Sequence, residues 1–270
     1  SQADATLAGE ATVPARKFFD ICRALPDGAV LNVEQQGDRV QVKAGRSRFS
    51  LATPPAAEFP ALEAKDSNDS LTLPQGTLKE LIDRVAFAMA VQDVRFYLNG
   101  MLFDLRSDSL RAVATDGHRL ALCQTTIDAR SGTERQILLP RKAVLELQRL
   151  LEATDDPVTL ELGRSHVRLR RADVVFTSNL IDGRFPDYEA VMPIGADKQV
   201  NVERELLRDA LSRAAILSNE KYRGVRLEVA PSQLRIVAHN AEQEEAVEEL
   251  GAESNTDNLQ ISFNVTYVLD

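Results

Sequence analysis

The stretch Pro140-Arg-Lys-Ala-Val-Leu-Glu-Leu-Gln-Arg-Leu-Leu151 repeats the pattern of Pro14-Ala-Arg-Lys-Phe-Phe-Asp-Ile-Cys-Arg-Ala-Leu25, 126 positions earlier. In both stretches a proline opens an amphipathic helix whose charged residues fall at equivalent places. A fixed period indicates a repeat architecture before any local motif is considered. Helix-start patterns recur at intervals of 63, 63, 63 and 61 residues, beginning at Pro14, Thr77, Pro140, Glu203 and Asn264.

Between the predicted helices, short segments alternate apolar and polar residues, as strands of a half-buried sheet do. Val94, Phe96 and Leu98 alternate in this way, and Asn99-Gly100 behind them predicts a tight hairpin turn. One helix for about every four strands predicts an α+β fold of tandem modules, with helices on one face and antiparallel sheets on the other. The predicted helices cover 14–25, 77–90, 140–151 and 203–217.

The similarity is strongest over two helical units, which makes the module about two units long. Leu110–Asp116 aligns with Leu234–Asn240, and Phe59-Pro60 recurs as Phe185-Pro186. We therefore predict the second half of one module, one complete module and the first part of a third, and we expect a longer parent protein. The predicted boundaries are 1–65, 66–192 and 193–270.

The charge of the chain is distributed unevenly. The chain has a net charge of −9, which by itself argues against a nucleic-acid partner. The four predicted helices nevertheless carry 11 Lys or Arg and 7 Asp or Glu residues, a net of +4, which leaves −13 on the remaining residues. An ordinary solvated surface would explain a basic face on a single helix. Because Arg16 and Arg23 recur as Lys142 and Arg149, a phosphate-binding surface is an equally good explanation.

Several functional classes lack their sequence signals. The sequence has no Gly-rich phosphate loop, no G-x-S-x-G, no H-E-x-x-H and no paired C-x-x-C, and no apolar run approaches the length of a membrane span. Cys22 and Cys123 are predicted to be free thiols in a reducing cytosol. His239 with its neighbouring glutamates suggests a metal cluster, but the run Glu242–Glu249 is more typical of a solvated acidic surface.

Several motifs then resemble one family. Thr115-Asp-Gly-His-Arg-Leu120, Asp182-Gly-Arg-Phe-Pro-Asp-Tyr188 and Phe263-Asn-Val-Thr-Tyr267 are similar to segments of the bacterial DNA polymerase III β subunit, the replicative sliding clamp. Ala44-Gly-Arg-Ser-Arg-Phe-Ser-Leu51 and Ala215-Ile-Leu-Ser-Asn-Glu-Lys221 share the resemblance, which covers essentially the whole chain. It implies the DNA-clamp fold: a head-to-tail homodimeric ring of six domains, with helices lining the inside and sheets outside.

The resemblance also implies a function. Such a clamp encircles double-stranded DNA without regard to sequence and acts as the processivity factor that tethers the DNA polymerase III catalytic subunit. It is not an enzyme and needs no cofactor or metal. The clamp loader and other proteins with clamp-binding motifs are expected partners, and the expected location is the bacterial cytoplasm, at replication forks.

Three groups of site residues follow from the resemblance. Loose contacts to DNA phosphates are expected from Arg16, Lys17, Arg23, Gln92, Arg141, Lys142 and Arg149. A mostly apolar pocket for partner peptides is expected from Leu98, Thr115, Gly117, His118, Arg119, Leu120, Pro186, Val191 and Tyr267. The subunit contact is expected from Phe49 and Leu51 on one side and Ile216 and Leu217 on the other, and ordinary core packing explains these four residues equally well.

Alternatives remain at this stage. His118 suits the rim of a peptide-binding hollow, but a polar residue in a turn between strands has the same pattern. Ala190 departs from the family, whose pocket often carries a basic residue there. A repeat-type scaffold that binds peptides without encircling DNA is the second reading of the whole chain, and a metal-dependent nuclease is the third.

Overall fold

The computed structural model describes residues 4–6, 8–59, 69–128, 134–256 and 258–270. The chain divides into two compact units, Ser1–Lys65 and Asp66–Asp270. All strand pairs in the described ranges are antiparallel, and helices pack on the sheets, so the predicted α+β class is confirmed. Along those ranges, none of the helices is long and apolar enough to cross a membrane.

The first unit contains one helix and one three-stranded sheet of order β1-β2-β3. Gly37 and Gly45 close its two hairpins with φ angles of 60° and 58°, a left-handed conformation that suits glycine. The described elements are α1 (Ala15–Ala24), β1 (Asn32–Gln36), β2 (Arg39–Ala44), β3 (Ser47–Ala52) and a 3₁₀ turn at Ala56–Glu58.

The first half of the second unit holds two four-stranded sheets, of order β11-β10-β9-β4 and β7-β6-β5-β8, and two helices. The helices are α2 (Gln75–Asp83) and α3 (Arg141–Leu150). The strands are β4 (Asp69–Pro74), β5 (Gly100–Leu105), β6 (Ser109–Thr115), β7 (Leu120–Thr126), β8 (Arg135–Pro140), β9 (Pro157–Leu162), β10 (His166–Arg171) and β11 (Val174–Asn179).

The second half of this unit packs two helices on a sheet of order β15-β14-β13-β17, beside the two-stranded pair β12-β16. The helices are α4 (Arg204–Ala214), followed by a 3₁₀ turn at Ala215–Leu217, and α5 (Val265–Leu269). The strands are β12 (Val200–Asn201), β13 (Gly224–Ala230), β14 (Gln233–His239), β15 (Glu245–Gly251), β16 (Glu253–Ser254) and β17 (Leu259–Asn264).

Strand β5 is buried along its whole length because both of its faces are covered. Met101, Phe103 and Leu105 point into the core that α2 and α3 share with the two four-stranded sheets. Leu102 faces the other way, into a second cluster that includes the buried Phe185. This alternation follows the two-residue period of a strand and makes the sheet the floor beneath the segment that contains Phe185.

The helix starts agree with the sequence patterns at four of five places. Pro14, Pro140, Glu203 and Asn264 are the observed N-caps. The carboxylate of Glu203 accepts hydrogen bonds from the backbone N–H groups of Glu205 and Leu206 in the first turn of α4, and these bonds lower its pKa.

The predicted helix 77–90 is wrong at both ends. Its N-cap is Pro74, and α2 runs from Gln75 to Asp83. Two residues later, Val85 has a φ of −123°, outside the helical region. A 3₁₀ turn at Ala86–Ala88 follows. The side chain of Gln75 is fully buried and binds the residues before β9, so tertiary contacts fix where this helix starts.

The predicted strand over Val94, Phe96 and Leu98 and the hairpin at Asn99-Gly100 are also wrong. Phe96–Leu98 forms a 3₁₀ turn, and Gly100 begins β5 opposite Pro140 of β8. The cause is local: the Asp93 N–H donates to Asn99 Oδ1 at 2.9 Å, while Asn99 Nδ2 donates to the Asp93 carbonyl at 2.8 Å. Side-chain to backbone bonds of this kind compete with strand pairing.

Candidate functional site

A rigid turn joins β6 to β7 and contains four of the predicted pocket residues. Thr115 Oγ1 donates to the Arg119 carbonyl at 2.7 Å and accepts from the Gly117 N–H at 3.1 Å. Asp116 Oδ1 accepts from the His118 N–H at 2.9 Å and from the Arg119 N–H at 3.1 Å. Gly117 has φ 87°, which glycine adopts without strain. The turn is therefore held in one shape by its own polar side chains.

Arg119 connects this turn to two other elements. Its guanidinium pairs with Asp116 at 3.2 Å and with Asp270 at 2.8 Å, and it donates to the Phe87 carbonyl at 2.9 Å. The guanidinium carbon also lies 5.1 Å from the ring centre of Phe87 and 4.7 Å from that of Tyr267. This side chain therefore ties the turn to the residues that follow α2 and to α5.

The aromatic and aliphatic pocket residues line the same region. The His118 ring stacks on Tyr267, with ring centres 5.9 Å apart. Leu98 is buried and Leu120 half-buried in the cluster that includes Phe185 on the second face of the β5–β8 sheet. Pro186 and Val191, the remaining two predicted pocket residues, are exposed on the segment that follows.

The sequence prediction missed Phe87 and Asp270, which both contact Arg119. Asp270 lies three positions after Tyr267 and so shares a face of α5 with it, which is a signal that spacing could have supplied. Phe87 gives no comparable signal, because its contact with Arg119 depends on the 3₁₀ turn that replaces the end of the predicted helix.

The loop that carries Gln92 is fastened to the same turn. Arg95 binds both carboxylate oxygens of Asp93, and these bonds, with one from the Arg95 N–H, lower the pKa of Asp93 to about 2. Arg95 Nη2 also donates to the Asp116 carbonyl at 3.3 Å. A Cβ on Gly117 would lie 2.9 Å from the guanidinium, so any other residue there would displace the Arg95 side chain from this position. Gln92 itself is exposed.

The remaining predicted DNA contacts lie on α1 and α3. Arg16, Lys17 and Arg23 are exposed on α1, and Arg16 pairs with Asp20 at 3.2 Å. On α3, Lys142 and Arg149 are exposed, whereas Arg141 is half-buried and donates to the Met89 carbonyl at 3.3 Å. Exposed ion pairs contribute little to stability, so these cations remain available to a ligand.

The predicted subunit-contact residues differ in burial. Leu51 is buried in the core of the first unit and Phe49 packs against that core, on the edge strand β3. In the second unit, Ile216 is 76% exposed and Leu217 is half-buried. Core packing therefore accounts for Leu51, and Ile216 is the member of the set with free apolar surface.

Around His239, the structure contains one contact with a carboxylate rather than a cluster. His239 Nε2 lies 3.5 Å from Glu245 Oε1, across the β14–β15 ladder. In the part of the chain that the structure describes, no group of three or more His, Cys, Asp or Glu side chains is arranged to hold a metal ion.

Comparison with known families gives three matches that together span most of the chain. The N-terminal domain of the DNA polymerase III beta subunit matches residues 1–63, its central domain matches 72–187 and its C-terminal domain matches 189–270.

Individual relatives agree with these matches. The beta sliding clamp of Escherichia coli K12 is 53% identical over 262 residues, which are 97% of this chain and 71% of that protein. The beta sliding clamp of Pseudomonas aeruginosa is 51% identical, over 99% of this chain and 73% of that protein.

Solved structures extend the agreement to the fold. The crystal structure of the DNA polymerase III subunit beta from Pseudomonas aeruginosa superposes with a TM-score of 0.94 at 51% identity, over 99% of this chain and 73% of that one. A sliding clamp of the same species bound to griselimycin superposes with a TM-score of 0.92 at 51% identity, over 99% of this chain and 72% of that one.

Proposed function

The chain belongs to the DNA polymerase III β subunit family, and we propose that it encircles duplex DNA and tethers the replicative polymerase to it. It is a sliding clamp, a non-catalytic processivity factor of DNA replication. The proposal adds which residues meet the DNA, which residues meet protein partners, and how two copies join.

The observation that carries the DNA part is the recurrence of exposed cations on α1 and α3. Arg16 and Arg23 occupy the helix positions that Lys142 and Arg149 occupy 126 residues later. Exposed, loosely paired cations attract phosphates equally at every register, which allows a protein to slide along the duplex. Lys17, Arg141 and Gln92 complete the proposed DNA contacts.

The pocket around the Thr115–Leu120 turn is proposed to bind partner peptides. The apolar cluster that contains the buried Leu98 and the half-buried Leu120, with the polar side chains of His118 and Arg119 at the adjacent turn, suits a short motif that presents apolar side chains. The proposed partners are the DNA polymerase III catalytic subunit, the clamp loader and other proteins with clamp-binding motifs.

A second copy of the chain is the remaining proposed partner, in a head-to-tail homodimer at replication forks. The exposed side chain of Ile216, with Leu217, supplies apolar surface on one side of the proposed contact. On the other side, the edge strand β3 carries Phe49 and Leu51 and leaves one row of backbone groups without a strand partner among the described residues.

Retention on circular DNA tests the encirclement. The protein is loaded by a bacterial clamp loader on a nicked circular plasmid, separated from free protein, and divided into an untreated sample and one cut with a single-site nuclease. We expect the intact circle to retain the protein and the linear product to release it, because retention depends on topology rather than on tight contacts. Gel filtration of the two samples measures the bound fraction.

A charge-matched control separates the helix cations from general electrostatics. Arg39 is exposed on β2, in the same unit as Arg16, so Arg39→Glu changes the net charge equally without touching a predicted DNA contact. We expect Arg16→Glu to reduce loading and Arg39→Glu to leave it unchanged. Equal retention on circular and linear DNA would contradict encirclement and favour a peptide-binding scaffold.

A further inference from the structure

The segment of residues 183–192, here called the wall segment, carries two of the predicted pocket residues, Pro186 and Val191. Pro186 and Val191 are exposed, and proline has no N–H to donate. The segment is held by Phe185 and Tyr188, whose exposed fractions are only 6% and 3%, in the apolar cluster beneath it. Its position therefore depends on how these two anchors are fixed.

The hydroxyl of Tyr188 is the centre of a partly buried polar network. It donates to Asp104 Oδ2 on β5 at 2.6 Å and accepts from Arg106 Nη2 and from Arg111 Nη1, each at 3.1 Å. Both arginines also bind Glu189 Oε1, at 2.8 and 2.7 Å, and Arg106 pairs with Asp104 at 3.0 Å. Two consecutive residues of the wall segment are thereby bound to the β5–β6 hairpin.

The charges in this network are mutually stabilising. Burial works against the carboxylate of Asp104, but the hydrogen bonds from Tyr188 and Arg106 outweigh it and lower its pKa. Burial together with the bond to Asp104 raises the pKa of Tyr188, so the hydroxyl keeps its proton and remains a donor. At neutral pH Asp104 therefore accepts as a carboxylate while Tyr188 donates.

One strand connects the network to the other side of the pocket. Strand β6 carries Arg111 near its start and Thr115 at its end, four residues or about 13 Å further on. The wall segment and the rigid turn are therefore both attached to β6. Because the strand is hydrogen-bonded on both sides, to β5 and β7, it keeps the two walls at a fixed separation.

We propose that Tyr188 is a positioning residue for the peptide pocket, which it serves by fastening the wall segment to Asp104, Arg106 and Arg111. This inference rests on the proposed peptide-binding function. The side chain does not touch the ligand. It fixes the positions of Pro186 and Val191. Because the wall segment is then ordered before the peptide binds, less conformational entropy is lost on binding and the affinity is higher.

Tyr188→Phe is the informative variant because the ring stays buried and only the hydroxyl is lost. A second polar network in the same unit supplies the matched control: the fully buried Gln75 donates to Thr154 Oγ1 at 2.6 Å and to Asp156 Oδ2 at 3.2 Å. Gln75→Met removes those bonds among residues that do not form the pocket. A difference between the two variants separates positioning from general loss of stability.

The experiment titrates griselimycin, which a 51%-identical clamp binds, into ¹⁵N-labelled protein and follows the amide signals of Gly117 and His118. We expect both signals to shift in the unmodified protein. We expect Tyr188→Phe to weaken the affinity about tenfold, in line with the loss of one buried hydrogen-bonding group. Glu189→Gln, a milder change at the exposed edge of the network, should weaken it about threefold, and Gln75→Met should leave it unchanged.

Each outcome has a distinct meaning. Binding without shifts at Gly117 and His118 would place the probe elsewhere and overturn the pocket itself. Shifts with equal affinity in Tyr188→Phe would keep the pocket and overturn the positioning role. Equal weakening by Tyr188→Phe and Gln75→Met would assign the effect to overall stability and also overturn the positioning role. Should Tyr188→Phe fold poorly, Glu189→Gln decides: unchanged affinity there overturns the proposal.

Discussion

The arginines of the helix faces and those of the pocket region are held in opposite ways. The side chains of Arg16 on α1 and Arg149 on α3 are 85% and 79% exposed, and each has one acidic neighbour on its own helix. The side chains of Arg119 and Arg111 are 18% and 22% exposed, and each binds residues distant in sequence.

The difference corresponds to two kinds of ligand. A cation that keeps its hydration and its rotamer freedom can follow a phosphate backbone whose register changes continually. A guanidinium fixed by several acceptors has already lost that freedom, so it defines the shape of a site that must recognise particular side chains. On the proposed function, the same residue type would therefore serve a sliding surface on α1 and α3 and a rigid pocket at the turn between β6 and β7.

Arg119→Ala should produce the largest effect, because it leaves Asp116 and Asp270 without their cation and the Phe87 carbonyl without its donor. We expect a loss of roughly 2–3 kcal/mol, which lowers the thermal midpoint by about 5–10 °C. Differential scanning calorimetry measures the shift. Arg119→Lys should recover little, because one ammonium cannot reach the acceptors that the planar guanidinium reaches.

Arg149→Ala is the control for that comparison. Its only ion pair in the described residues is the exposed contact with Glu146 at 3.6 Å, so we expect the midpoint to stay within about 1 °C. Equal shifts for Arg119→Ala and Arg149→Ala would remove the distinction between held and free arginines.

Asp104→Asn should give the next largest effect and a specific pH dependence. It removes one of the two carboxylate charges that Arg106 pairs with, which should lower the midpoint at pH 7 by about 3–6 °C, or roughly 1–2 kcal/mol. The pKa of Asp104 is lowered from its ordinary 3.8, so its contribution is complete above that value and disappears as the pH falls through the folded-state pKa.

The measurement is the midpoint of both proteins from pH 7 to pH 3. We expect a constant difference between pH 7 and pH 5 that shrinks only below about pH 4. A difference that already fades between pH 7 and pH 5 would mean that another titrating group, and not the Asp104 carboxylate, supplies the effect.

Sequence patterns predicted the parts of the fold that depend on local chemistry. Prolines at 14 and 140 and the side-chain acceptors Glu203 and Asn264 open helices as predicted, because these four starts depend on neighbouring residues. The helix at 77–90 and the strand at 94–98 were predicted wrongly because distant contacts in one case, and Asp93 with Asn99 in the other, override the periodicity.

The candidate site was predictable to a smaller extent. The hydrogen bonds of the turn around Thr115 join residues that are close in sequence, so the local sequence determines its shape. Arg119 and Asp270 are 151 positions apart, and Tyr188 and Asp104 are 84 apart, so no local pattern could pair them. The DNA contacts and the subunit contact remain predictions that rest on the repeat and on the resemblance.

The smallest effect is expected from the free cations, and it should appear in salt dependence rather than in stability. Replacing Arg16 and Lys142 by glutamine should leave the thermal midpoint within about 1 °C, because neither side chain is buried. If each cation meets a phosphate, the slope of log affinity against log salt should fall by roughly 0.9 for each one removed. Fluorescence anisotropy with a labelled duplex, recorded at salt concentrations from about 50 to about 200 mM, measures that slope.

Arg39→Gln provides the reference for this slope, since it removes an exposed cation from the sheet rather than from a helix. An unchanged slope for Arg39→Gln beside a reduced one for the helix pair would locate the phosphates at α1 and α3. The reverse result would place the duplex at the sheet, and the exposed helix cations would then be ordinary solvated residues. The contrast between the exposed and the half-buried arginines would then still describe their effects on stability, but it would not bear on DNA binding.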